Sequence, residues 1–239
     1  MRRTKNVVSQ IIMPATLDRE GAYASDTALI DPSDIGPPQL FVSHTWSNTW
    51  GLLVAAVTDL ARRNQMDLKT LTCWVDIFAI NQHSRSIDEL DDLYAVVACS
   101  GNFVQVCDPT ALPFRRVWCL FELVAWIQGD ESAARGKHVP TVHVRIGTVG
   151  ADGEFSPEDP KKLDALKEKI RMQEAEASVQ ADRALIFNMV QDKVPGGFDA
   201  VNRIIKDAVV NHNIDSLLSQ SNKRNSTMGI KMVAEIYSL

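Results

Sequence analysis

The feature that most constrains this chain is an alternation, between residues 40 and 146, of short β-rich apolar runs with longer helix-patterned stretches. LFVSHTW (40–46) reads as a short buried strand. From about Thr49 to Asn64, the apolar positions Leu52, Leu53, Ala56, Val57 and Leu60 recur at helical spacing. TCWVDIFAI (72–80) is a second β-rich run, closed by the polar INQHSRS. IDELDDLYAVVACS (87–100) is helix-patterned, with acidic residues in its first turn. NFVQVCD (102–108) is a third strand candidate. After a loop holding Pro109 and Pro113, RRVWCLFELVAWIQ (115–128) is apolar nearly all round, as a buried helix is. HVPTVHVRI (138–146) is a fourth strand candidate. Strands that alternate with helices require right-handed crossovers, so the expected fold is α/β: a parallel sheet with helices on both faces.

The flanks differ in texture. Residues 1–38 read as an N-terminal extension ending in the breaker-rich DPSDIGPPQ, and 39–148 as the α/β domain. Gly147 to Pro160 is Gly-, Asp- and Pro-rich and reads as a loop or boundary. Residues 149–239 read as a helical C-terminal part, packed on the domain or on a partner. Its stripes are Leu163, Leu166 and Ile170, then Leu185, Ile186, Met189 and Val190. After the stop at PGG (195–197) come Phe198, Val201, Ile204, Ile205, Ala208 and Val209.

A net charge of −5 provides no basic footprint for nucleic acid, and no apolar run approaches the roughly 20 residues that span a bilayer. No targeting segment stands out, so the cytoplasm is the expected location. Cys73, Cys99, Cys107 and Cys119 form no CxxC pair and sit in apolar surroundings, a pattern that fits buried reduced thiols.

In an open parallel sheet, ligands bind outside the carboxyl ends of the strands. Ser43, His44, Thr45 and Trp46 follow the first strand, Asp76, Asn81 and Gln82 the second, Asp108 the third, and Arg115 and Arg116 open the next helix. Phosphate-binding glycine motifs, nucleophile elbows and metal-ligand spacings are absent from the sequence, so no metal is expected.

Three segments carry a family resemblance. FVSHTW resembles the first box of TIR domains, and RRVWCLFELVAW is similar to their S-x-W-C-x-x-E-L segment. CWVDIFAINQ resembles the W-I-D-x-x-C-I-N-Q run of the HET domains, fungal relatives of the TIR fold. The three stand in the family's order over residues 40–126, about half of the chain. Arg116 replaces the usual serine before the tryptophan, and Ala79 the usual HET cysteine. The resemblance implies a flavodoxin-like open parallel sheet of about four to five strands flanked by helices. It also implies that Glu122, aligned through Trp118, Cys119 and Leu123, is the catalytic glutamate of an NAD+ hydrolase or cyclase.

Cleavage of the nicotinamide–ribose bond passes through an oxocarbenium-like transition state, and the nicotinamide leaves neutral. One carboxylate can then suffice, binding ribose hydroxyls and stabilising the developing positive charge. On that expectation Glu122 is catalytic, and Ser43, His44, Trp46, Asp76, Asn81, Arg115, Arg116 and Trp118 form the substrate-binding set. NAD+ is then a substrate rather than a cofactor, and self-association completes the site. Two other readings stand beside it: a non-catalytic interaction module in immune or cell-death signalling, and an N-glycosidase acting on nucleosides or nucleotides. As a bare residue, without the resemblance, Glu122 reads first as a solvated acid near a helix N-terminus.

Overall fold

The computed structural model describes residues 2–84, 93, 95–97, 100–128, 142–159, 165 and 170–207. Its centre is one five-stranded sheet in the order β2-β1-β3-β4-β5. The strands are β1 (Leu40–Ser43), β2 (Cys73–Trp74), β3 (Asn102–Cys107), β4 (Val142–Val149) and β5 (Phe155–Pro157). β1 pairs in parallel with β2 and β3, β3 pairs in parallel with β4, and β5 returns antiparallel along β4. With helices on both sides this is an α/β fold of flavodoxin-like layout.

The helices are α1 (Thr4–Val7, continuing through a π-helical turn Val8–Ile12 into Met13–Ala15), α2 (Trp50–Arg63), α3 (Asp76–Ala79), α4 (Val117–Gln128) and α5 (Gln180–Lys193). Residues 197–207 are also helical. α2 and α4 lie where the apolar spacing placed them. Among the described residues no helix is long and apolar enough to cross a membrane.

Side-chain alternation along the strands divides the core in two. Phe41, Phe103, Cys107, Val144 and Ile146 join Leu120, Leu123, Val124 and Trp126 of α4. Leu40, Val42, Val104 and Val106 join Leu52, Leu53, Ala56 and Leu60 of α2, with Val7, Val8 and Ile12 of α1. The N-terminal extension is thus part of the core. It is tied to the loop after β1 by backbone bonds from Thr4 N to Asn48 O (2.9 Å), Lys5 N to Trp46 O (3.1 Å) and Trp50 N to Arg2 O (2.9 Å). On the α4 side, Ile186, Val190, Val201 and Ile205 pack into the same cluster as Trp126, so residues 180–207 cover this domain's own helix.

Several elements differ from the expectation. The second β-rich run makes only a two-residue strand, because Asp76 accepts from the Ile77 N–H at 2.7 Å and starts a helical turn. Cys73, on that edge strand, is exposed rather than buried, while Cys107 and Cys119 are buried. The stretch expected as a loop from Gly147 is a hairpin. Asp152 accepts from Glu154 N at 3.0 Å, Gly153 turns at φ 82°, and β5 closes over Gly147, where a Cβ would collide with the Ser156 carbonyl and the Phe155 ring. Leu163, Leu166, Ala208, Val209, Cys99 and most of 87–100 lie outside the described residues, as do 138–141 of the fourth run.

Candidate functional site

The sheet's switch point lies between β1 and β3, from which the chain runs outward to β2 on one side and β4 on the other; ligands collect at such points. Ser43 is the last residue of β1 and is in register with Gln105 of β3. Parallel partners present their side chains to the same face, here the apolar face covered by α4. The Ser43 hydroxyl donates to Glu122 Oε2 on α4, and Gln105 Nε2 donates to Ser43 Oγ at 2.9 Å. All three are enclosed, with Ser43 1%, Gln105 0% and Glu122 9% exposed. One turn earlier on α4, the Cys119 thiol donates to His44 O at 3.2 Å, so α4 grips the end of β1 at two points.

Asp76, at the start of α3, forms the other wall. It accepts from the Trp46 indole N–H at 2.7 Å and from the Ile77 amide at 2.7 Å, and its Oδ1 lies 3.8 Å from His44 Nδ1. Burial dominates the electrostatics. It pushes the Glu122 carboxyl up to about 8; the Ser43 hydrogen bond opposes that rise and the Asp76 charge adds to it. Burial pushes His44 down, against the Asp76 charge, and raises the Cys119 thiol, helped by the charge of Glu122. At neutral pH the closed site therefore holds a carboxylic acid, a neutral imidazole and a thiol.

Of the residues expected at the site, the structure brings together Ser43, His44, Trp46, Asp76 and Glu122. The others have partners elsewhere. Trp118 points its indole N–H at Asp182 of α5 (3.0 Å), and Arg116 donates to Ser178 Oγ (2.5 Å). Arg115, exposed, donates to the Thr110 carbonyl at 3.1 Å. Asn81 donates to the Glu20 carbonyl (2.5 Å) while its Oδ1 accepts from His83 N (2.9 Å), so the INQ run braces the N-terminal segment. Gln82 donates to Asp76 O at 3.1 Å and Ile80 O at 3.0 Å, fixing the turn that carries Asp76. Asp108 accepts from Leu112 N (2.9 Å) and Thr110 Oγ1 (2.6 Å), shaping a loop in which Ala111 sits at φ 49°.

Sequence reasoning missed Gln105. Its signal was present: one polar residue in an otherwise apolar β-run, where a buried polar side chain needs a reason. Among the described residues, no group of three or more His, Cys, Asp or Glu side chains is placed to hold a metal ion. Comparison with protein-family models, with curated proteins and with solved structures returned no match.

Proposed function

We propose that this chain is a TIR-like NAD+ glycohydrolase or cyclase acting in the cytoplasm, in immune, stress or cell-death signalling, with Glu122 as its catalytic carboxylate. The observation that carries this reading is Glu122 itself: a buried acid at the switch point, held by Ser43 and set beside Asp76. An acid without function is rarely kept in such surroundings, because burial penalises its charged form.

NAD+ suits this site electrostatically. Its pyridinium ring brings a positive charge, which lowers the pKa of a neighbouring carboxyl and so ionises Glu122 on binding. The carboxylate then holds ribose hydroxyls and faces the cation that develops as the glycosidic bond breaks. Trp46, half-buried at the rim, offers a surface for stacking, and exposed Arg115 a charge for the pyrophosphate. The burial of Ser43, His44 and Glu122 means that substrate enters only after local opening, which self-association would drive.

Two observations favour other readings. The closure of the site suits a non-catalytic TIR/HET-like interaction module. The neutral state of Glu122 suits an N-glycosidase in which it protonates a departing base. Nicotinamide release from NAD+ separates the three when followed at low and high protein concentration, with Glu122→Gln and Glu122→Ala in parallel. Turnover that rises with protein concentration and vanishes in both variants is expected. Base release from nucleosides without release from NAD+ selects the N-glycosidase, and no release by the folded, self-associated protein selects the interaction module.

A further inference from the structure

We infer that Gln105 is a positioning residue: with Ser43 it forms a hydrogen-bonded pair that holds the Glu122 carboxyl in place in both of its protonation states. The face of the sheet toward α4 is apolar at Phe41, Phe103, Cys107, Val144 and Ile146, and Ser43 and Gln105 interrupt it side by side. Donation runs from Gln105 Nε2 to Ser43 Oγ and from the Ser43 hydroxyl to Glu122 Oε2. That direction delivers a proton toward the carboxyl and suits its ionised form. Gln105 Oε1, meanwhile, is buried without a partner.

The unpartnered oxygen is explained by the other state. When Glu122 is protonated, its O–H donates to Ser43 Oγ, and the Ser43 hydroxyl turns to donate the opposite way. A half-turn of the Gln105 amide presents Oε1 to receive it. Only an amide carries both a donor and an acceptor at the end of a neutral side chain of this length. Methionine has the shape with no donor and only a weak acceptor, and glutamate would add a like charge. Of the titratable groups, Asp76 from α3 and Cys119 from its own helix interact with Glu122, while His44 at the end of β1 interacts with Asp76, and Cys107 of β3 and Arg116 at the start of α4 with Cys119. None of them is hydrogen-bonded to the Glu122 carboxyl among the described residues.

The catalytic consequence of this pair rests on the NAD+ reading; the hydrogen-bonded pair does not. The test is therefore made directly on the carboxyl. In the full chain labelled with ¹³C-glutamate, the Glu122 side-chain resonance is assigned by its loss in Glu122→Gln and titrated in wild type, Gln105→Met, Gln105→Asn and Ser43→Ala. The bond to the ionised carboxylate is charge-assisted and the stronger of the two, so removing the pair costs the ionised form more: the midpoint is expected to rise by about one pH unit in Gln105→Met and Ser43→Ala, and by less in Gln105→Asn. Nicotinamide release below that midpoint then falls about tenfold, with the pH profile displaced by the same amount. Phe103→Leu, on the same strand and face, lowers the melting temperature without moving the midpoint. An unmoved midpoint in a folded Gln105→Met or Gln105→Asn protein overturns the inference. A displaced midpoint in a chain that releases no nicotinamide upholds it and removes the NAD+ reading instead.

Discussion

Each face of the sheet buries a polar cluster, and the two are built on different terms. Toward α2, Arg145 of β4 donates to Asp59, which also takes Arg63 Nε at 2.8 Å, and the Arg145 guanidinium lies 4.7 Å from the Phe155 ring centre. Arg62 and Glu154, 2.7 Å apart, repeat the link from α2 to the hairpin at the surface. Toward α4, Glu122 has a hydroxyl partner and a like charge nearby, with no salt bridge among the described residues. The first cluster joins charges of opposite sign, one carboxylate between two guanidiniums, and ties an edge hairpin to a helix. The second is an acid left chemically unsettled at the point where open α/β sheets bind ligands. A structural role explains Arg145; it does not explain Glu122.

The largest effect is expected from breaking the matched side. Asp59→Ala leaves the Arg145 guanidinium buried without its counter-charge, and such a loss costs about 3–5 kcal/mol. For a chain of this size the melting temperature is expected to fall by about 10 °C or more. Replacing both partners, as in Asp59→Leu with Arg145→Met, is expected to recover most of it. A neutral Asp59→Ala would mean that Arg145 is no better settled than Glu122, and the contrast between the faces would disappear.

On the other face the sign reverses. The Glu122 carboxyl sits at about 8 in the folded chain, above its usual 4.5, so the folded state holds that proton more tightly than the unfolded state. Stability is then greatest below the unfolded value and is lost as pH rises toward 8. Glu122→Gln lacks this loss. Its melting temperature is expected to exceed that of wild type by a margin that grows by several degrees between pH 5 and 8, since each tenfold difference in proton affinity is worth about 1.4 kcal/mol. A margin constant with pH would mean that Glu122 is ionised in the fold.

Activity sharpens the same point. Nicotinamide release that depends on ionised Glu122 is expected to rise with pH and to reach half of its maximum near 8, with the limb displaced to lower pH at saturating NAD+. Base release that depends on protonated Glu122 would run the other way. The pH–rate profile thus assigns Glu122 to stabiliser or acid with one protein and two substrates.

How much of this could be read from the chain depended on whether the deciding contact was local. The places of β1, β3, α2 and α4 follow from their apolar patterns, because each buries a whole face of its own, although β1 ends at Ser43, three residues before the end of the run read as a strand. The two-residue β2 does not, since the Asp76 carboxylate starts a turn inside an apolar run. Nor does β5, although Asp152–Gly153 is an ordinary hairpin signal, because a Gly- and Pro-rich segment reads first as a boundary. Ser43 and Glu122 were nameable through the strand-end rule and the family resemblance. Gln105 was not, because it sits within a strand and acts through Ser43. The destinations of Arg116 and Trp118 lay over 60 residues away, at Ser178 and Asp182, where sequence spacing says nothing.

Trp118 is where the smallest effect is expected and where the comparison is most easily turned. It shares a helix face with Glu122, an arrangement that would let ring and carboxylate flank one substrate. In the fold its indole N–H reaches Asp182 at 3.0 Å and its ring meets Phe121 edge-on at 6.3 Å between centres. Trp118→Phe removes the donor and keeps an aromatic ring. With Trp118 serving to dock α5, the melting temperature is expected to drop by the equivalent of about 1 kcal/mol, a few degrees, as for one hydrogen bond. If the melting temperature holds and the KM for NAD+ rises, the ring belongs to the substrate. α5 would then have to move aside when the site opens, and the α4 face would be the mobile side of the sheet.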